Sequence, residues 1–145
     1  MTQIPEAADR RSIVVDYNLD ATAANVWRAL TEPELLAKWL MRNDIRPDVG
    51  HRFTFQTDSA PGFDGIVHCE IIEARPFSRL VYSWRGGPIS TVVTWTLDPL
   101  VSGGTHLLLE QVGFSPEHGM AYDMLSSGWR EKAAGPLNRL TSAIR

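Results

Sequence analysis

The chain has 145 residues, a length that suits one domain with a core of its own. Hydrophobic residues make up 43% and charged residues 21%, which excludes a disordered chain. The formal charge of -3 arises from 17 acidic and 14 basic side chains, scattered rather than clustered, which argues against a nucleic-acid partner and a membrane-surface anchor. There is no apolar run of membrane-spanning length and no signal-peptide pattern. Cys69 is the sole cysteine, so no internal disulfide forms, and a cytoplasmic setting is expected.

Residues 1–10 are polar and read as a loose tail, with the domain expected over 11–145. Arg11 to Leu19 is rich in β-branched and aromatic residues and reads as a strand. A short helix follows, capped by Thr22 or Asp20, with Val26, Trp27 and Leu30 on one face. Thr31 and Glu34 have capping-box spacing for a second helix, with Pro33 in its first turn and Leu35, Leu36, Trp39 and Leu40 following.

From Gly50 the period changes to two. Phe53 and Phe55 alternate with polar neighbours, and further strands are expected near 64–74, 79–84, 90–97 and 105–114. Tyr82 and Trp84 share one face of their strand, as do Val93 and Trp95. Short turns join these strands, so the sheet is an antiparallel meander. After Ser115-Pro116 the chain reads as one long helix, with Leu125, Trp129, Ala133, Leu137, Leu140 and Ile144 forming an apolar face. Gly135-Pro136 predicts a kink in it. The fold class is α+β, a curved antiparallel sheet gripping its C-terminal helix. The space between them is the expected site.

Specific residues sharpen this. Val26-Trp27-Arg28-Ala29-Leu30-Thr31, Pro33-Glu34 and Trp39-Leu40 are followed by Gly50, Phe53 and Pro76, then by Arg79-Leu80-Val81-Tyr82-Ser83-Trp84. Gly104-Thr105, Leu107, Leu109, Gly113-Phe114 and Gly128-Trp129 complete the series. In order and spacing they resemble the START-like superfamily of birch-pollen-allergen proteins, in the branch related to the C-terminal domain of the heat-shock chaperone ATPase activator. The resemblance implies a helix-grip fold with an internal cavity for a hydrophobic ligand. Superfamily relatives bind lipids, steroids or polyketides, and some catalyse cyclisation or dehydration. The co-chaperone's N-terminal activator domain has no counterpart here, which argues against a chaperone partner.

Candidate ligand-binding residues are Phe53, Phe55, Tyr82, Trp84, Trp95, Gln111, Met124 and Gly128. The aromatic residues lie on apolar strand faces, where they serve either as core or as a cavity wall. Gln111 shares parity with Leu107 and Leu109, so its amide faces a neighbour, trapped water or a ligand. Met120 and Met124 offer adaptable lining or ordinary packing. Gly128 either lets the helix approach the sheet or leaves room for a ligand.

The four histidines have no metal-ligand spacing, and Cys69 has no visible activating base. His68 and Glu70 share a strand face, either as an inward acid–base pair or as an outer polar stripe. No phosphate loop, nucleophile elbow or dinucleotide fingerprint is present, and no metal or cofactor is expected. The expected function is binding of an apolar or aromatic small molecule. The alternatives are a polyketide cyclase or hydratase on the same fold, or a protein partner such as a chaperone or regulator. Pairing into a homodimer stays open on the sequence alone.

Overall fold

The first strand is paired not with its successor in the chain but with the last strand. In the computed structural model, which describes residues 11–144, the seven strands form one sheet in the order β1-β7-β6-β5-β4-β3-β2. Every pairing is antiparallel. The strands are β1 (Arg11–Leu19), β2 (Arg42–Asn43), β3 (Arg52–Gln56), β4 (Ile66–Arg75), β5 (Arg79–Gly86), β6 (Ile89–Pro99) and β7 (Thr105–Phe114). The helices are α1 (Ala23–Thr31), α2 (Pro33–Trp39), α3 (Gly119–Lys132) and α4 (Asn138–Ala143). The predicted tail 1–10 lies outside the described residues.

Alternation of burial along the strands follows from the pleat, because successive side chains point to opposite faces. In β3 Phe53 and Phe55 are buried while Arg52 and Gln56 are exposed. In β4 Val67, Cys69 and Ile71 face inward, and His68 and Ile72 face out. A register shift between Ile71 and Glu73 interrupts the β4–β5 ladder, the kind of irregularity that bends a strand. β2, only two residues long, escaped the sequence reading because so short a run has no measurable period.

Thr22 caps α1, its Oγ1 accepting from the Asn25 backbone N–H at 3.3 Å. The capping box expected at Thr31 is not formed. Thr31 is the last residue of α1 and donates its hydroxyl to the Trp27 carbonyl at 2.7 Å, so Glu32 becomes the cap residue of α2. Pro33 occupies the first turn as expected.

The start of α1 is fixed to the far hairpin by the Gly104-Thr105 pair. Thr105 Oγ1 donates to the Ala21 carbonyl at 2.8 Å. A β-carbon on Gly104 would collide with the Leu19 carbonyl oxygen, so only glycine allows this approach.

The C-terminal helix is interrupted where Gly135-Pro136 predicts. Residues Ala133–Leu137 form a π-helical turn containing Pro136, which joins α3 to α4. A proline there removes one helical donor and crowds the preceding turn, and the wider turn relieves that clash. Trp129 and Leu137 are buried against the sheet, and Leu125 and Leu140 are half-buried beside them.

Candidate functional site

The inner face of the sheet and the C-terminal helices enclose an aromatic cluster. Phe55, Tyr82, Trp84, Trp95 and Trp129 are each 2% exposed or less, as is Phe53. Their rings meet edge-on or tilted, with centroids 5.3 Å apart for Phe53–Tyr82, 5.2 Å for Phe55–Trp84 and 5.5 Å for both Trp84–Trp129 and Trp95–Trp129. These offset geometries suit the quadrupole of aromatic rings. Side chains thus occupy the space that the sequence reading expected to be open between sheet and helix.

Inside this cluster lies a chain of buried polar groups. Gln111, on β7, is 0% exposed. Its Oε1 accepts from the Trp129 indole N–H at 2.8 Å, and its Nε2 donates to Thr91 Oγ1 at 2.9 Å. Thr91 in turn donates to the Trp84 carbonyl at 3.1 Å. The register explains the Gln111–Thr91 contact: Gln111 lies opposite Val93, two residues along β6 from Thr91, so the two side chains are diagonal neighbours on one face. A second pair sits alongside, with the Trp95 indole N–H donating to the Tyr82 hydroxyl at 3.0 Å.

Burial pushes the Tyr82 hydroxyl far above the ordinary range, an effect that the Trp95 hydrogen bond opposes only in part. Tyr82 therefore remains a neutral phenol at neutral pH. The same desolvation pushes up the Cys69 thiol and the Tyr17 phenol. Tyr17 donates to the Trp129 carbonyl at 2.9 Å, tying β1 to α3.

Of the sequence candidates, Phe53, Phe55, Tyr82, Trp84, Trp95 and Gln111 come together in this cluster. Met124 does not: it is 70% exposed, and Met120 is 80% exposed. The packed seam of α3 runs through Ala121, Leu125 and Trp129, and Met124 precedes Leu125 by one helical step of about 100°, which turns it outward. Gly128 is half-buried, but a β-carbon there would meet nothing within 4 Å, so close approach to the sheet does not require it. Thr91 and Trp129 are the members that sequence reasoning left out of the site. Thr91 shares the parity of Val93 and Trp95, and that signal could have found it.

His68 and Glu70 project from the outer face, where Glu70 pairs with Arg52 at 3.3 Å. The inward acid–base pair considered from sequence is thus replaced by the outer polar stripe. A groove of about 730 Å³ opens on that side, lined by Asp64, Ile66, His68, Arg85 and Gly62, Gly86 and Gly87. It lies away from the aromatic cluster. Among the described residues no group of three or more His, Cys, Asp or Glu is placed to hold a metal ion, and no Asp, Glu, His, Lys or Arg is buried. No described helix is long and apolar enough to cross a membrane.

Comparison with known proteins places this geometry. The family model described as activator of Hsp90 ATPase homolog 1-like protein matches residues 20–140. Protein MLL2253 from Mesorhizobium loti is similar at 36% identity, with a TM-score of 0.83 over 93% of this chain and 99% of that one. Protein BH1534 from Bacillus halodurans has the same fold at 21% identity and a TM-score of 0.78, covering 92% of this chain and 99% of its own. CalU16 from Micromonospora echinospora is 25% identical with a TM-score of 0.64, over 92% of this chain and 82% of that one. No curated protein matches the chain.

Proposed function

The chain belongs to the activator of Hsp90 ATPase homolog 1-like family, within the START-like superfamily, and on that premise we propose that it binds an apolar or aromatic small molecule between its sheet and its C-terminal helices. One observation carries this reading: Gln111, Thr91 and Tyr82, three polar side chains, are buried among aromatic rings at the sheet–helix interface. Stability alone does not call for them, since apolar residues of the same shape fill a core equally well. A few placed polar groups in an apolar, aromatic setting are what a small-molecule site requires, because burial supplies affinity and the polar groups fix orientation.

In this reading the ligand takes the place of a side chain now packed against Phe55, Trp84 and Trp95, and the aromatic faces of these three contact it. Gln111 and the neutral phenol of Tyr82 set its direction. Cyclisation or dehydration on the same fold would need an ionisable acid–base pair at this face. Among the described residues, the buried groups that titrate on this face, Tyr17, Cys69 and Tyr82, are held protonated by burial. Binding is therefore the better-supported function, given that one fold hosts many activities.

The test is native mass spectrometry of the purified protein, followed by tryptophan-fluorescence titration with fatty acids, flavonoids and aromatic polyketides. A co-purified small molecule, or saturable quenching that weakens in Trp84→Ala and Gln111→Leu, is the expected result. Absence of binding across the whole panel overturns the proposal.

A further inference from the structure

We propose that Trp129 and the ligand compete for one place, and that the ligand is a fused bicyclic arene bearing a single hydrogen-bond donor. This deepens the binding reading above and rests on it.

The surroundings of the Trp129 side chain describe such a molecule. Its bicyclic ring lies edge-on to Trp84 and Trp95, both at 5.5 Å, with interplanar angles of 62° and 86°. Its one donor, the indole N–H, reaches Gln111 Oε1 at 2.8 Å. The amide nitrogen of Gln111 is committed to Thr91, so Gln111 presents an acceptor to whatever sits at the Trp129 position. A flat two-ring aromatic with a phenolic or N–H donor reproduces every one of these contacts.

Exit of the ring would draw on the backbone around Trp129. It is followed within the same helix by the π-helical turn Ala133–Leu137 with Pro136 inside it, an irregularity of a kind frequent at functional sites. In the preceding half of α3 Met120 and Met124 face solvent and Leu125 is only half-buried, while Tyr122 holds that half to the sheet through its ring on Phe114 at 5.4 Å and its hydroxyl on the Ser12 carbonyl at 3.1 Å. Next to Trp129, Gly128 has open space where a side chain would be. One hydrogen bond holds the Trp129 backbone to the sheet edge, from the Tyr17 hydroxyl to its carbonyl.

A ligand that must displace Trp129 binds with an affinity reduced by the stability of the closed arrangement. Weakening that arrangement away from the ligand contacts therefore tightens binding. Tyr17→Phe removes one hydrogen bond to α3 and keeps the ring. Trp129→Phe removes the competing donor and part of the ring, leaving Gln111 Oε1 to the ligand.

Isothermal titration of the wild type and both variants with β-naphthol and with β-methoxynaphthalene tests this. The second probe has the same ring system and no donor. The wild type is expected to prefer β-naphthol roughly tenfold, the worth of one hydrogen bond into a buried site. Tyr17→Phe is expected to bind β-naphthol roughly fivefold more tightly, and Trp129→Phe more tightly still with the preference kept. Unchanged or weakened binding in both variants overturns the competition, while the binding function stands as long as the probes bind. Equal affinity for the two probes, or no binding of either by proteins that do bind fatty acids, overturns the ligand class. Failure of every ligand in the wider panel would instead count against the binding function itself.

Discussion

Trp95 donates its indole N–H to the Tyr82 hydroxyl at 3.0 Å, with both residues 1% exposed or less. The contact is a consequence of strand register. Tyr82 lies opposite Val93, so Trp95, two residues further along β6, is its diagonal neighbour on the inner face. Tyr82→Phe leaves the buried Trp95 N–H without its acceptor. The expected cost is about 1–3 kcal/mol of stability, the penalty for one buried orphan donor. Urea unfolding measures it as a lower midpoint with an unchanged slope, and an unchanged midpoint would mean that the indole finds another acceptor.

Gly104→Ala is expected to destabilise the fold although the residue has no side chain to lose. Its β-carbon would strike the Leu19 carbonyl oxygen and pry the β6–β7 hairpin from the end of β1, along with the Thr105–Ala21 hydrogen bond. Forced crowding of this kind costs roughly 1–3 kcal/mol. Thermal unfolding of the variant beside Gly103→Ala separates the steric effect from the other cost. Gly103 has open space but a φ of +95°, so its penalty is backbone strain alone.

Met124→Ser should change stability by no more than about 0.5 kcal/mol, as exposed positions generally do. It should leave ligand affinity unchanged as well, because the side chain is 70% exposed and off the packed seam of α3. A clear loss of affinity in the same titrations would restore Met124 to the binding surface.

Alkaline pH acts on the core through Tyr17 and Tyr82. Burial raises both phenols above their ordinary value of 10.0 in the folded chain. Below that value both states are protonated and their contribution to stability is complete. As pH rises past it the unfolded chain loses these protons first, so the contribution is progressively lost and unfolding is favoured. Phenolate absorbance during an alkaline titration should show these two tyrosines ionising only with the loss of native circular dichroism. Ionisation of both near 10 in a still-native protein would contradict their burial.

The sheet was legible in the sequence because a two-residue period survives in nearly every strand. Parity alone put Gln111 with Leu107 and Leu109, and all three are 0% exposed. Parity equally separates Cys69, which is buried, from His68, which is not. What parity does not carry is register, and the partners of Gln111 depend on it. Thr91 meets Gln111 only because β6 and β7 align Val93 with Gln111. The helical part was harder for a related reason. Periodicity put Leu125, Trp129, Leu137 and Leu140 on one apolar face, and they pack there, but it left Met120 and Met124 open as lining, and docking of the helix leaves both exposed. The filling of the expected space by Trp129 likewise depends on where the helix docks. At Thr31 a hydroxyl with two uses, capping α2 or bonding back into α1, took the second.

Fluorine NMR of protein labelled with fluorotryptophan, titrated with an aromatic ligand from the panel, tests the central claim most directly. The five tryptophans divide into Trp84, Trp95 and Trp129 in the cluster, Trp39 beside Trp95 at 6.0 Å, and Trp27 on α1 against Phe77. Assignment by single Trp→Phe variants makes each resonance a local reporter. Binding between sheet and helix predicts saturable shifts at Trp84, Trp95 and Trp129, largest at Trp129, with Trp27 unmoved. Saturable binding that shifts Trp27 and leaves those three in place would contradict it.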